Sequence, residues 1–233
     1  WPSDLYAGLP APADGERVTL WVQNSHPCAI PAGTIGLNRT GDDAIVRLDR
    51  ELPAFGSYAL DVAELLPGIA WPEQIEIHAG KHFVRPRYEI ANVKTGRSRI
   101  SHPNVERVDL KADPKIAELS NLFGKAYILP APVLPMSQFS SLALPTPMST
   151  AQAHLPVALA VYNPDGKEVA RHRFGCLPRD HADCLSLDSL VNGLLGDGYG
   201  HMELFYDFAG GGDADGWLHG LFRYQHRESG HEA

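Results

Sequence analysis

The sequence predicts an all-β protein: two tandem antiparallel β-sandwiches of immunoglobulin-like class, related by an internal duplication and joined by a short connecting helix. Three observations carry this reading. Runs with period-two alternation recur along the chain, as strands with one buried face require. The 22 Gly and 19 Pro favour many short elements over long helices. A set of local matches also returns in the same order in each half. The boundaries that follow are 1–112 for the first sandwich, 113–124 for the helix and 125–233 for the second sandwich.

Leu9-Pro-Ala-Pro12 leads into Glu16–Asn24, where Val18, Leu20 and Val22 alternate with Thr19, Trp21 and Gln23. That spacing predicts a strand ending at the turn Asn24-Ser-His-Pro27. Ala44–Asp49 and Tyr58–Leu60 read as further strands. Asp61-Val-Ala-Glu64 has capping-box spacing, so one helical turn is expected before Pro67. Gln74–His78 and His82–Ile90 read as a hairpin around Ala79-Gly80-Lys81, with Pro86 placing the second strand at an edge or a bulge.

The later half repeats these features. Leu129-Pro-Ala-Pro132 matches Leu9-Pro-Ala-Pro12, and Val157–Asn163 matches Val18–Asn24. Leu185-Ser-Leu-Asp188 matches Ala59-Leu-Asp61, and Arg223-Tyr224 matches Arg87-Tyr88. Between the halves, Asp113-Pro114 opens the connecting helix, with Ile116, Leu119 and Phe123 on one face and Gly124 as its stop. The segment 127–147 is rich in proline and apolar residues and reads as an extended, covered strap.

Composition excludes several roles. A net charge of −8 argues against general nucleic-acid binding, which rests on phosphate neutralisation by Lys and Arg. No apolar run approaches the roughly 20 residues that a spanning helix needs. Cys28, Cys176 and Cys184 have no metal spacing and cannot all pair, which favours free thiols and a reducing, cytoplasmic compartment. No signal-peptide pattern is present, although a chain opening at Trp1 leaves its true termini and any removed targeting segment open.

The strongest hairpin signal is Gly200–Tyr224, two alternating runs around a Gly/Asp-rich turn. Pairing Asp207 with Trp217 sets Glu203 opposite Leu221 and His201 opposite Arg223, with His219 diagonal to Glu203. His201, Glu203 and His219 would then share a face, and two imidazoles with a carboxylate suit zinc or iron. His226 and His231 add nitrogens nearby. An alternating strand presents polar residues outward in any case, so a plain solvated face is the competing explanation.

A second candidate is basic. Lys81, Arg85, Arg87, Lys94, Arg97, Arg99 and Arg107 cluster within an otherwise acidic chain. Arginine forks suit carboxylate and phosphate, so Arg85, Arg87, Arg97 and Arg99 are candidates for an anionic ligand, unless nearby acidic residues merely balance them. Trp217, with Trp21 and Trp71, could offer a sugar-stacking surface, although strand tryptophans usually pack in cores or interfaces. No nucleophile elbow or phosphate-cradling glycine motif is present, and Asp213-Ala-Asp215-Gly216 lacks the calcium loop's final Glu.

No motif calls for a cofactor. The favoured reading is a non-enzymatic ligand-binding or assembly module for a small anionic or carbohydrate ligand or a protein partner, by analogy with other β-sandwiches. The alternative is a metal-dependent enzyme built on the C-terminal hairpin.

Overall fold

The computed structural model describes residues 5–79, 82, 86–106, 128–147, 149–196, 198–212 and 218–233. The chain divides into two compact units, Trp1–Val108 and Asp109–Ala233. The connecting helix expected at 113–124 lies outside the described residues. Strands dominate both units, and no helix among the described residues is long and apolar enough to cross a membrane.

Among its described residues the first unit holds nine strands: β1 Leu5–Pro10, β2 Glu16–Gln23, β3 Gly36–Arg39, β4 Val46–Arg47, β5 Ser57–Asp61, β6 Gln74–His78, β7 Arg87–Asn92, β8 Ser98–Ser101 and β9 Asn104–Glu106. They form one sheet in the order β4-β3-β6-β1-β9 and another in the order β5-β2-β7-β8. The alternation in β2 does what its pattern requires. Val18, Leu20 and Val22 are at most 1% exposed, while Arg17, Trp21 and Gln23 face outward. With Leu37, Ile75 and Ile77 they anchor one apolar core. Burying each such side chain stabilises the unit by about 1.5–3 kcal/mol. Helix α1, Val62–Leu65, is a single turn: Asp61 caps it by accepting from Ala63 N at 2.9 Å, and Pro67 follows its end.

The second unit holds β10 Ile128–Val133, β11 Phe139–Thr146, β12 His154–Tyr162, β13 Glu168–Pro178, β14 Leu185–Ser186, β15 Gly200–Tyr206 and β16 His219–His226. One sheet runs β10-β15-β12-β13 and the other β14-β11-β16. Val157, Leu159, Val161, Met202 and Leu204 are fully buried in a core of their own. The one-turn helix α2 is Leu187–Leu190, and its N-cap is Ser186. Asp188 lies inside that turn and accepts from Arg227 Nη2 at 2.6 Å. The apolar segment 127–147 supplies two sheet strands, β10 and β11.

Tandem immunoglobulin-like sandwiches are not what forms. That class places a domain's first, second, fourth and fifth strands in one sheet and the third, sixth and seventh in the other. Here the second unit groups its first, third, fourth and sixth strands, and separately its second, fifth and seventh. The described residues make four small sheets, with each unit's first strand lying beside its sixth (β1 on β6, β10 on β15). The internal duplication, in the alignment read from the sequence, fails as well. It equates β2 with β12, yet β2 lies between β5 and β7 while β12 lies between β13 and β15. Alternation and turn chemistry are shared by any short antiparallel strands, so resemblance at that level does not identify equivalent ones.

Both expected hairpins also resolve differently. β6 and β7 belong to different sheets, as do β15 and β16. In each case the two neighbouring runs join different sheets instead of closing a two-strand ribbon.

Candidate functional site

A dense grouping of chemically capable side chains lies on one face of the sheet β10-β15-β12-β13. Its centre strand, β12, carries Val157, Leu159 and Val161 into the core, which turns Ala158, Ala160 and Tyr162 to the other face. Register places His201 beside Tyr162, Glu203 beside Ala160 and Phe205 beside Ala158. On the other flank, Arg171 pairs with Ala160 and Arg173 with Ala158. A bulge between Val161 and Tyr162 turns Glu168 to the same face as Arg171.

The alanines decide the geometry. β13 and β15 flank β12 on opposite sides, so any contact between them must cross two inter-strand spacings, about 9–10 Å. Methyl side chains leave that passage open. Arg171 reaches over Ala160 and lays its guanidinium 5.2 Å from the centroid of the Phe205 ring. Arg173 reaches over Ala158, and its Nε lies 3.0 Å from Asp207 Oδ2. Both alanines are fully covered as a result.

Arg171 is further fixed by a two-point pair with Glu168, Nε to Oε1 at 2.8 Å and Nη2 to Oε2 at 2.6 Å. That donation holds the Glu168 carboxyl below its ordinary range and raises the Arg171 guanidinium. The Tyr162 ring stacks on His201, with centroids 4.9 Å apart and planes 15° from parallel. Its hydroxyl is held protonated above the ordinary range by burial and then by the Glu203 and Glu168 charges, against an opposing effect of Arg171. His201 Nε2 lies 3.9 Å from Glu203 Oε1.

Of the proposed metal set, His201 and Glu203 therefore share this face, but His219 belongs to β16 and pairs with Thr146 in the other sheet. Among the described residues, no group of three or more His, Cys, Asp or Glu side chains is placed to hold a metal ion. His226 and His231 lie where the C-terminal segment folds back on β16, His226 N donating to His231 O at 2.8 Å.

The basic residues of the first unit do not converge either. Arg87 lies on the outward face of β7 opposite Trp21, and its Nη1 donates to the Pro86 carbonyl at 3.1 Å. Arg99 lies opposite core-facing Ile90, on the other face, and its Nη2 meets the nearly buried Glu16 carboxylate at 2.9 Å. Arg97 is exposed beside the turn joining β7 and β8. Arg85 and Trp217 lie outside the described residues. Trp21 is 36% exposed, and its Nε1 donates to Glu89 Oε2 at 3.1 Å.

A second polar assembly, in the first unit, is buried. Asn38 and Glu76 pair across β3 and β6 and are 1% and 4% exposed. Asn38 Nδ2 donates to Glu76 Oε2 at 3.1 Å, and Asn38 Oδ1 accepts from His78 Nε2 at 2.7 Å. Because an amide oxygen only accepts, this contact assigns the hydrogen to His78 Nε2. Burial lowers the His78 pKa, with Glu76 opposing the shift and Arg47 reinforcing it.

Sequence reasoning missed Tyr162, Arg171, Arg173, Phe205 and Asp207, along with Asn38, Glu76 and His78. Signals were present: small residues in alternation at Ala158 and Ala160, and Glu76 set between Ile75 and Ile77. Comparison of the chain with protein-family models, with curated proteins and with solved structures gives no match, so the reading of this face rests on its geometry.

Proposed function

We propose that the chain is a non-enzymatic binding protein whose second unit recognises a protein partner through the face built over Ala158 and Ala160. The observation that supports it is the pairing pattern of that face. Arg171 with Glu168 and Phe205, Arg173 with Asp207, and Tyr162 with His201 are held in mutual contact before any partner arrives. Preorganised side chains of both charge signs, spread over a sheet, lower the ordering cost of association and set specificity by charge matching. A reaction centre instead requires groups converging on one point where a reacting atom can sit. A small anion would have to displace the Glu168 carboxylate that holds Arg171 at two points. A sugar ring would need an aromatic face that His201 already covers on Tyr162.

The test is quantitative affinity capture with the wild-type chain, with an Arg173→Glu/His201→Asp variant, and with a Trp21→Ser control in the first unit. The proposal expects one or more proteins enriched by the wild type and the control and lost by the face variant, with folding checked by circular dichroism. Identical capture by all three chains would sink it.

A further inference from the structure

We infer that the first unit carries a binding site for a small zwitterion with an aliphatic tail, the class of the free aliphatic α-amino acids, in the pocket between the β3–β4 turn and the end of α1. This site lies outside the face described above and is independent of the role proposed for it.

The pocket measures about 240 Å³ and is lined by Arg39 and Asp42 from the turn, Val46 from β4, and Leu65, Leu66 and Ile69 from α1 and the segment after it. The pocket opens to solvent on one side, and its volume is of the scale of a molecule like leucine. Its chemistry is divided. The α1 side and Val46 are aliphatic, and Val46 is 38% exposed, an apolar strand residue that no neighbour covers fully. The turn side presents one cation and one anion three residues apart. Asp42 N donates to Arg39 O at 2.9 Å, which closes the turn and brings the two side chains to the same rim. Gly41 takes φ 82°, a conformation costly for any residue with a Cβ.

The second observation is what lies beneath the turn. Asn38 Nδ2 donates to both Arg39 O at 2.9 Å and Asp42 O at 2.6 Å, and Glu76 Oε1 accepts from Gly41 N at 3.2 Å. A buried amide and a buried carboxylate carry a large desolvation cost. Here both are spent on fixing the one turn that carries the two rim charges. Arg39 is steadied from the side by Glu73 at 3.0 Å through Nη2, one corner of a guanidinium with five N–H donors. Asp42 Oδ1 accepts from Ala44 N at 3.0 Å, which orients its carboxylate. In this arrangement a ligand carboxylate meets Arg39, its ammonium meets Asp42, and its tail lies on Leu65, Leu66, Ile69 and Val46.

The experiment is an amide-resolved NMR titration of the full chain with L-leucine, leucinamide, N-acetyl-leucine and glycine. The expected result is saturable shifts for leucine confined to residues 39–46 and 62–69. Leucinamide and N-acetyl-leucine, each missing one charge, and glycine, missing the tail, should bind at least about tenfold more weakly, the scale of one lost charge-assisted contact or of a few buried methylenes. Arg39→Gln and Asp42→Asn should weaken leucine by a similar factor. No saturable shift with leucine up to about 10 mM, beyond which a charge-paired site of this size has no useful affinity, overturns the proposal. So does equal binding of leucine, leucinamide and N-acetyl-leucine. The ligand series needs only the wild-type chain, so it decides the matter even where a variant misfolds.

Discussion

Arg171 and Phe205 touch across a strand to which neither belongs. The guanidinium sits 5.2 Å from the ring centroid only because the intervening residue on β12 is Ala160. A larger side chain there would occupy the path. Ala160→Leu is expected to destabilise the second unit by about 1–3 kcal/mol through overpacking and to detach Arg171 from the ring. Arg171→Ala should cost less than about 1 kcal/mol, because the contact itself is partly exposed. Urea denaturation of the two variants checks the order. Equal costs would mean that the alanine floor has no special role.

Asn38 presents two N–H groups to three oxygens, those of Arg39, Asp42 and Glu76. Asn38→Ala should lower the stability of the first unit by about 1–3 kcal/mol, the cost of depriving buried polar groups of a partner. It should also speed hydrogen exchange at the Gly41 amide, which loses its fixed acceptor geometry. Unchanged exchange would show that the turn holds itself.

His78 and His181 both have pKa values lowered below 6.5 by burial. At His181 the shift is opposed by Asp183, by the Pro145 carbonyl and by Asp180; at His78 it is opposed by Glu76. A histidine that resists protonation when folded binds fewer protons than it does unfolded. Stability is then fully present above the unfolded value and falls as pH drops below about 6.5 toward the folded value. Denaturation midpoints measured from pH 7.5 down to 5.5 should decline, and His181→Gln should flatten the decline in the second unit. A midpoint that rises on acidification would contradict the burial of these rings.

Burial raises the Cys184 thiol to about 11, with Arg223 opposing the shift, whereas Cys28 is exposed. At pH 8 roughly one part in a thousand of Cys184 is thiolate, and the thiolate is the reactive form. Iodoacetamide labelling followed by peptide mapping should modify Cys28 quickly and Cys184 last.

His201 and Glu203 stand 3.9 Å apart on the outward face. Elemental analysis of the purified chain is expected to find no stoichiometric transition metal that depends on them. His201→Ala should alter stability by less than about 1 kcal/mol, the range usual at exposed positions. Stoichiometric zinc that vanishes in this variant would revive a metal centre built on these two residues.

The sequence told faces better than partners. Period-two alternation puts Val18, Leu20, Val22, Ile75, Ile77, Val157, Leu159, Val161, Met202 and Leu204 on the apolar faces of their runs, and all are buried. Phe222 and Tyr224 pack against the second core from partly exposed positions. Asp61 read as a cap and is one. Pairing was a different matter. A period of two says which way a side chain points, but not which strand lies alongside, and an acceptable turn between neighbouring runs makes a local hairpin look sufficient. His219 was set beside Glu203 on that basis, while the ladder gives β15 to β10 and β12 and gives β16 to β11. The alanine-floored face joins β15 to the local hairpin of β12 and β13, so its contacts onto β15 could not be read locally.

Among the described residues the two apolar cores have none in common, one drawing on Leu9–Ile90 and the other on Leu129–Tyr224. Cooperativity is a property of a shared core, so each unit has the means for its own melting transition. Calorimetry of the whole chain should be fitted to two transitions, and a variant's effect read from the one it moves. A ligand of the first unit would then raise one peak and leave the other in place, which turns the heat-capacity trace into an address for whatever binds.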